Sequence, residues 1–252
     1  MDLGGKHVVI TGGSGGIGAA LGHSFAGAGA RVTLVARGEE ALRPVAEEVG
    51  ATAVAADVRE PEELMRRVEQ VAPVDVLVNN AGLAEPGAFG DLTTTSLRTI
   101  YAVNATAPAE LALLALPGML QRRLGRIVFV SSLAAHAAVA GLAAYSATKA
   151  SVGRLAEGLH RELRGTGVGV TLAELGTVDA GMYRDLGSYP PTVRAFDRLL
   201  ATRTLRLLTA EEVATAVTTA CREDRHLVVL PRRARAQAAL VHLPQRLANL
   251  VT

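Results

Sequence analysis

Short apolar runs rich in β-branched residues alternate along the chain with longer amphipathic segments. Runs of this kind, bounded by turn residues, are typical of buried strands. Seven strands are predicted, over residues 6–11, 31–36, 52–56, 75–79, 126–131, 168–173 and 226–230. Helices are predicted between them, at 17–28, 39–49, 61–71, 94–123, 145–165 and 210–222. Such alternation indicates an α/β fold: a single Rossmann-type, doubly wound parallel sheet of seven strands with helices on both faces.

The 252 residues contain no linker or repeat, so one domain is expected over 1–252, with 232–252 as an amphipathic C-terminal extension. Hydrophobic residues make up 49% of the chain and charged residues 20%, which excludes a disordered protein. Aromatic residues are only 3%, and the net charge is +2. A base-stacking surface and a strongly basic face are both missing, so no nucleic-acid partner is expected.

A single cysteine, Cys221, excludes an internal disulfide framework and a cysteine-based metal cage. The six histidines show no spacing typical of metal ligands, so no metal is expected. The first residues lack the basic segment and apolar stretch of a secretory signal. We therefore expect a cytoplasmic protein.

A glycine cluster, TGGSGGIG at 11–18, follows the first predicted strand. It fits GxGxxG with glycines at 13, 15 and 18, and equally TGxxxGxG with glycines at 12, 16 and 18. Glycine permits positive φ and lets the N–H groups of a helix N-terminus approach a pyrophosphate. An ordinary tight turn is the alternative, but the position after a strand favours a dinucleotide site. The expected contacts are Gly12, Ser14, Gly15, Gly16, Ile17 and Gly18.

The end of the second predicted strand bears on the choice of dinucleotide. NAD sites generally place an acidic residue there, on the ribose 2′-hydroxyl. This strand ends instead at Ala36 and is followed by Arg37, which can pair bidentately with a 2′-phosphate. Glu39 or Glu40 is the alternative ribose ligand, but both are expected in the first turn of the next helix, where the dipole stabilises them. The sequence therefore favours NADP(H) over NAD(H).

Tyr145 and Lys149 are spaced i,i+4, which places them on one face of a predicted helix. A nearby ammonium stabilises a phenolate and lowers the pKa of the phenol, which suits acid-base catalysis. A tyrosine that packs along a lysine stem is the structural alternative. Ser132 lies 13 residues upstream of Tyr145, at the end of a predicted central strand, where open α/β sheets bind ligands.

These residues resemble the compact branch of the short-chain dehydrogenases/reductases. The resemblance covers residues 6 to about 230 and rests on motifs in a fixed order, whose joint agreement by chance is negligible. They are the TGxxxGxG turn, Asp57-Val58, Asn79-Asn80-Ala81-Gly82, Asn104, Ser132 and Tyr145-Ser-Ala-Thr-Lys149.

The resemblance implies hydride transfer between a nicotinamide and a carbonyl or secondary alcohol. It implies that Tyr145 exchanges a proton with the substrate oxygen and that Ser132 hydrogen-bonds the same oxygen. Lys149 would hold the nicotinamide ribose and lower the pKa of Tyr145, and Asn104 would position a water in a proton relay. The other implied cofactor contacts are Asp57, Val58, Asn79, Ala81, Gly82, Gly176 and Val178, together with Tyr145 and Lys149 themselves.

The chain departs from the family pattern after the sixth predicted strand. Leu175 stands where the family usually carries Pro, and Ala180 stands where a Thr usually contacts the nicotinamide amide. Loss of that side-chain hydrogen bond is worth about 1 kcal/mol. A lower cofactor affinity is therefore expected, with the reaction type unchanged.

Most of the residues expected around the substrate pocket are apolar, which favours a lipophilic ketone or alcohol as substrate. Residues 180–209 form a long connection that is a candidate lid. The candidate substrate contacts are Leu133, His136, Leu142, Met182 and Tyr183. His136 as an additional acid-base group is the less favoured role, since a hydrogen-bonded loop histidine is more common.

Partners and competing functions follow from the same features. The family resemblance implies a homodimer or homotetramer through the two long helices at 94–123 and 145–165. The extension 232–252 is expected to dock on the protein, and an anionic membrane surface is the less favoured partner, because Pro244 interrupts its helix. The competing functions are a catalytically idle cofactor-binding sensor and a membrane-surface reductase of lipids or retinoids.

Overall fold

Seven parallel strands form one sheet in the computed structural model, which describes residues 1–137, 139–180, 189–201 and 206–234. The strands are β1 (His7–Thr11), β2 (Arg31–Ala36), β3 (Thr52–Ala55), β4 (Val76–Asn79), β5 (Gly125–Ser132), β6 (Val168–Leu175) and β7 (Leu227–Leu230). Their order is β3-β2-β1-β4-β5-β6-β7. The chain winds outward from β1 and then, in the other direction, from β4. This confirms the predicted doubly wound Rossmann-type fold.

The helices connect successive strands, close to where the sequence places them. They are α1 (Gly16–Gly27), α2 (Glu39–Val49), α3 (Pro61–Glu69), α4 (Thr94–Tyr101), α5 (Ala107–Arg122), α6 (Ala143–Glu162), α7 (Pro190–Ala201) and α8 (Ala210–Arg222). Only α7 has no counterpart among the predicted helices, and it lies within the long connection at 180–209. It begins at a pair of prolines, which suit a first helical turn because they need no intrahelical donor.

Two apolar clusters cover the two faces of the sheet. In β1, Val8 and Ile10 enter one cluster and Val9 enters the other, as the two-residue repeat of a strand requires. The first cluster contains Phe25 of α1, and the second contains Leu111 of α5. Burial on both faces explains why the strands are apolar runs rather than alternating sequences. It also fixes the strand ends from which the site is built.

The helix predicted at 94–123 is divided by a π-helical turn, Ala102–Thr106, between α4 and α5. Such turns are rare and occur frequently at functional sites, and this one contains Asn104. The whole segment Thr94–Arg122 is long and apolar enough to cross a membrane by length and composition, and 44% of its apolar window is buried. Core helices of soluble proteins pass the same test, so this is a weak indication of a membrane span.

Candidate active site

The candidate site lies outside the carboxyl ends of the central strands. The strand order reverses between β1 and β4, and open α/β sheets bind ligands in the crevice at this point. The loops after β1, β4, β5 and β6 all leave from this edge. The loop after β6 reaches the glycine turn, since a Cβ added to Gly16 would lie 3.3 Å from the Cβ of Ala180. The crevice is thus bounded by segments from both halves of the sheet.

Backbone geometry decides between the two patterns that fit the glycine turn. Gly12 has φ of 70° and Gly16 has φ of 53°, which residues with a Cβ rarely adopt. A Cβ on Gly18 would lie 2.0 Å from the carbonyl oxygen of Gly12. Gly13 is also close-packed, at 2.8 Å from the Cβ of Leu34, whereas a Cβ on Gly15 would meet nothing within 4 Å. The geometry therefore favours TGxxxGxG, because GxGxxG would make Gly15 an essential glycine.

Asn80 holds this turn, although the sequence does not distinguish it from its neighbours in the Asn-Asn-Ala-Gly motif. Its Nδ2 donates to the carbonyl oxygens of Thr11 at 2.8 Å and Gly12 at 3.3 Å. In return, the Oγ1 of Thr11 accepts from the backbone N–H groups of Asn80 at 3.1 Å and Ala81 at 3.0 Å. The ends of β1 and β4 are therefore joined by side chains as well as by the sheet.

Asn79 and Gly82 flank this bracing on the same segment. Asn79 is buried at the end of β4, and its amide nitrogen and oxygen have no hydrogen-bond partner among the described residues. Gly82 follows Ala81 in the loop that leaves the sheet edge. A buried side-chain amide without partners is costly, so an unpaired amide needs a reason. The Nδ2 and Oδ1 of Asn79 leave one donor and one acceptor group for a ligand in the crevice.

The N-terminus of α1 is suited to an anion. Its N-cap, Gly15, makes no side-chain capping bond, and no acidic residue lies in the first turn, where Ile17 and Gly18 are located. The free N–H groups and the helix dipole therefore favour a negative charge at this point. Together with the space that a Cβ would fill at Gly12 and Gly18, this terminus fits the pyrophosphate of a dinucleotide.

The end of β2 carries Arg37, exposed and immediately beyond Ala36. Glu39 and Glu40 lie in the first turn of α2, as expected, and not at the strand end. Arg37 also acts on the loop after β3. Its positive charge adds to the effect of Arg59, which holds the pKa of the Asp57 carboxyl below its usual value.

Asp57 and Val58, the expected adenine contacts, follow β3. The guanidinium of Arg59 pairs with Asp57 at 2.6 Å, and Val58 is buried. The sequence does not single out Arg59. Two guanidinium groups and one carboxylate therefore lie at this end of the crevice.

The structure brings the predicted Ser132 and Tyr145 together. Ser132 ends β5 and caps a 3₁₀ turn, Leu133–Ala135, by accepting a hydrogen bond from the N–H of Ala134 at 3.1 Å. Tyr145 lies in the first turn of α6, where the Ser132 side chain is close enough to its hydroxyl to lower the pKa of the phenol. Burial raises the pKa of Tyr145, and Ser132 opposes that rise only in part. The phenol is therefore protonated at neutral pH.

Lys149 lies one helical turn beyond Tyr145 and is buried. Its Nζ is 5.8 Å from the centre of the Tyr145 ring and donates to the carbonyl oxygen of Val130 at 2.9 Å. Burial lowers the pKa of Lys149 to about 8. The lowering of the Tyr145 pKa by Lys149 stays a prediction, since burial of the phenol is the largest influence on that pKa and the net shift is upward.

Asn104 is buried in the π turn and connects three segments. Its Oδ1 accepts from the N–H of Leu83 at 2.9 Å, and its Nδ2 donates to the carbonyl oxygen of Leu83 at 2.8 Å. The same Nδ2 donates to Thr148 at 3.2 Å, and Thr148 donates to the carbonyl oxygen of Tyr145 at 2.7 Å. Asn104 thus tethers α6, which carries Tyr145 and Lys149, to the loop after β4. Its role in positioning a water stays a prediction.

The loop after β6 is held by its backbone. Gly176 donates its N–H to the carbonyl oxygen of Leu230 at 2.7 Å, and a Cβ there would lie 3.0 Å from Pro231. Val178 forms an isolated parallel bridge with Leu208. These contacts involve neither the side chain of Leu175 nor that of Ala180, so the two departures from the family pattern do not remove them.

The predicted substrate contacts fall into three groups. Leu133 and His136 are partly buried in the turn after Ser132, whereas Leu142 is buried at the start of α6. Met182 and Tyr183 lie outside the described residues, as do residues 235–252 of the extension. The sequence did not identify Glu174, whose Oε1 lies 2.6 Å from Nε2 of His136. The signal that marks Glu174 is a carboxylate inside β6, whose other residues are all uncharged.

Fold and site together define a class. A glycine turn, an open helix N-terminus and paired Ser and Tyr hydroxyls beside a lysine, all at the edge of a doubly wound sheet, are features of a dinucleotide-dependent enzyme. Within the described part of the chain, no group of three or more His, Cys, Asp or Glu side chains gathers to hold a metal ion.

Comparisons with known proteins give the family. A family model described as short chain dehydrogenase matches residues 6–190. Ketoacyl reductase HetN of Nostoc sp. is 33% identical over 238 residues, which cover 90% of this chain and 79% of that protein. The 3-ketodihydrosphingosine reductase of Bos taurus is 34% identical over 187 residues, 69% of this chain, and the match spans 56% of that relative.

A solved structure agrees along nearly the whole chain. It is a short-chain dehydrogenase from Sphingobium yanoikuyae in complex with NADPH, with a TM-score of 0.81 and 28% identity, covering 97% of this chain and 95% of that one. The chain belongs to the short-chain dehydrogenase/reductase family, which confirms the resemblance seen in the motifs.

Proposed function

We propose that the protein interconverts a carbonyl and a secondary alcohol with NADP(H), and that Tyr145 is its acid and base. The observation that carries the proposal is the proximity of the Ser132 and Tyr145 side chains, beside the buried Lys149 at the carboxyl edge of the sheet. A hydroxyl pair at this edge can act together on one substrate oxygen. Family membership supports the same reaction class.

The chemistry divides between the cofactor and the chain. When bound, the nicotinamide supplies or accepts the hydride. Tyr145 donates its proton to the substrate oxygen, and its raised pKa keeps it loaded as an acid at neutral pH. Ser132 donates a hydrogen bond to the charge that develops on this oxygen. Lys149 then stabilises the phenolate that Tyr145 becomes.

We propose that NADP(H) is preferred because Arg37 directly follows the end of β2, where an NAD site carries a carboxylate. Bidentate pairing of a guanidinium with a 2′-phosphate is a strong charge-assisted contact. Glu39 and Glu40 do not compete, because they lie in the first turn of α2. The related Sphingobium structure was solved with NADPH, which supports the same choice.

We propose a lipophilic ketone as substrate. Two relatives are named as reductases of ketoacyl and 3-ketodihydrosphingosine compounds, and both names describe a keto group on a larger molecule. Leu133, which follows Ser132 directly, offers an apolar contact at the reacting carbonyl.

The experiment measures NADPH oxidation with a panel of 3-ketoacyl thioesters, aliphatic ketones and, as a polar control, keto sugars. We expect turnover with the aliphatic ketones and thioesters and little or none with the sugars. Binding of NADPH without oxidation by any carbonyl would contradict the proposal and favour the idle cofactor-binding sensor.

Self-association through α5 is part of the proposal, as a homodimer or homotetramer. Leu113 is 69% exposed and Leu120 is 37% exposed on this helix. Two exposed leucines seven residues apart lie on one face of the helix and form an apolar patch that another subunit could cover. The double substitution Leu113→Glu and Leu120→Glu should reduce the mass measured by light scattering, to that of one chain for a dimer and to that of two chains for a tetramer with a second interface. An unchanged mass would place the interface elsewhere.

The membrane-surface alternative concerns residues 232–252, of which only 232–234 are described. Deletion of these residues should leave binding to anionic liposomes unchanged if the extension docks on the protein itself. Loss of liposome binding in the deletion variant would favour the membrane-surface reductase instead.

A further inference from the structure

The turn that follows Ser132 is fastened at both of its ends. At its start, the Ser132 Oγ accepts from the N–H of Ala134 at 3.1 Å. At its end, the N–H of His136 donates to the carbonyl oxygen of Leu133 at 3.0 Å, and the His136 ring is bonded to Glu174 at 2.6 Å. The turn is therefore attached to β5 through Ser132 and to β6 through Glu174.

Glu174 is an unusual residue for its position. It is 1% exposed, and its backbone lies opposite Ser131, next to Ser132, in the register of β5 and β6. The other buried residues of β6 are apolar apart from Thr171. A buried carboxylate is costly unless it is paired, and an apolar side chain would form this strand equally well. The fold alone therefore does not explain a carboxylate at this strand end.

We propose that His136 and Glu174 form a positioning pair for Ser132. The pair fixes the turn, and the fixed turn keeps the Ala134 N–H directed at the Ser132 Oγ. Because that N–H uses an acceptor site of the oxygen, the hydroxyl proton of Ser132 remains directed to Tyr145 or to the substrate oxygen. The catalytic consequence rests on the proposed reductase function, whereas the structural part does not.

The decisive variants are Glu174→Leu and Glu174→Gln. Leucine removes the acceptor of His136, whereas glutamine keeps an oxygen where the carboxylate has one. We expect Glu174→Leu to lower kcat by about ten- to hundredfold, because small displacements of a catalytic group have effects of this size. We expect Glu174→Gln to restore most of kcat, and both variants to bind NADPH as the parent does.

A similar pair far from the site provides the control. His226 Nε2 lies 3.1 Å from Glu157 Oε1, at the opposite edge of the sheet, where β7 begins. Glu157→Leu should leave kcat unchanged. Because loss of one partner of a buried pair lowers stability, kcat of Glu174→Leu is measured well below its Tm, and NADPH binding equal to that of the parent separates positioning from general damage.

Two measurements test the inference. In a double-mutant cycle, Glu174→Leu should cause no further loss in a Ser132→Ala background, because it acts through Ser132. Additive losses would overturn it. Hydrogen exchange of the Ala134 amide, measured without substrate, should be faster in Glu174→Leu and unchanged in Glu174→Gln. Equal exchange in all three proteins would overturn the inference even if no carbonyl substrate is found, whereas failure of the proposed function would show as an inactive parent.

Discussion

Gly18 is the glycine whose replacement has the most direct structural consequence. A Cβ at this position would lie 2.0 Å from the carbonyl oxygen of Gly12, and real Cβ atoms essentially never approach within 3.0 Å. The helix start and the turn must therefore separate by about 1 Å in Gly18→Ala. The oxygen belongs to backbone that Asn80 also binds, at 3.3 Å, so it cannot rotate away like a side chain.

The magnitude follows from two opposing effects. Overpacking costs up to about 3 kcal/mol when the opposing group is rigid. Alanine is better than glycine within a helix by about 1 kcal/mol. The net loss is about 2 kcal/mol, which corresponds to a decrease in Tm of about 4–8 °C for a chain of this length. Displacement of the turn should also raise the Kd for NADPH by about tenfold or more.

The assay is thermal unfolding without cofactor, followed by a titration with NADPH. Because the chain contains no Trp, tryptophan fluorescence cannot report binding, and the titration follows the fluorescence of NADPH itself. Gly15→Ala is the matched control for stability, because its φ of 166° is extended and its Cβ would meet nothing within 4 Å. A Gly18→Ala protein as stable as the parent would refute the reasoning from close approach.

Two further predictions concern charged side chains at the two ends of the crevice. Arg37→Asp should weaken NADPH binding by about ten- to hundredfold, since charge-assisted hydrogen bonds contribute about 1.5–3 kcal/mol, and should affect NADH much less. Equal losses for both cofactors in the fluorescence titration would contradict the proposed preference. Lys149→Met should stabilise the protein at pH 7 by about 2 kcal/mol. Burial lowers the pKa of Lys149 from 10.5 to about 8, which costs the folded protein about 3 kcal/mol, and methionine removes this cost. The variant also loses the hydrogen bond to Val130, which offsets about 1 kcal/mol of the gain. Since the unfolded chain binds more protons than the folded one between these pKa values, the cost of burial is complete below pH 8 and decreases as the pH rises toward 10.5. Urea unfolding of parent and variant at pH 7 and pH 10 should therefore show the difference shrinking, and a difference independent of pH would exclude the titration of Lys149 as its cause.

The sheet could be predicted from the sequence because its signals are local. Each strand is an apolar run such as the one that contains Val8, Val9 and Ile10, and burial on both faces makes these runs distinct from the helices. The grouping of Ser132, Tyr145 and Lys149 could also be predicted, because the strand end and the i,i+4 spacing are fixed by local geometry. The structure brings these residues together as expected.

What the sequence could not show depends on contacts between distant residues. The π turn around Asn104 reads as ordinary helix, and its bonds reach Leu83 and Thr148. The pairing of His136 with Glu174 spans 38 positions and requires the register of β5 and β6. The raised pKa of Tyr145 was not apparent from the sequence, because the i,i+4 spacing reveals the charge of Lys149 but not the burial of the phenol.

Comparison of Tyr145→Phe with the parent protein tests the central claim most directly. Phenylalanine retains the ring and its packing but removes the proton that the substrate oxygen needs. Because general acid-base catalysis contributes about 10²- to 10⁴-fold, we expect kcat for a ketone substrate to decrease by that factor, with the Kd for NADPH unchanged. A Tyr145→Phe protein that reduces the same ketone as fast as the parent would contradict the assignment of Tyr145 as the acid and base.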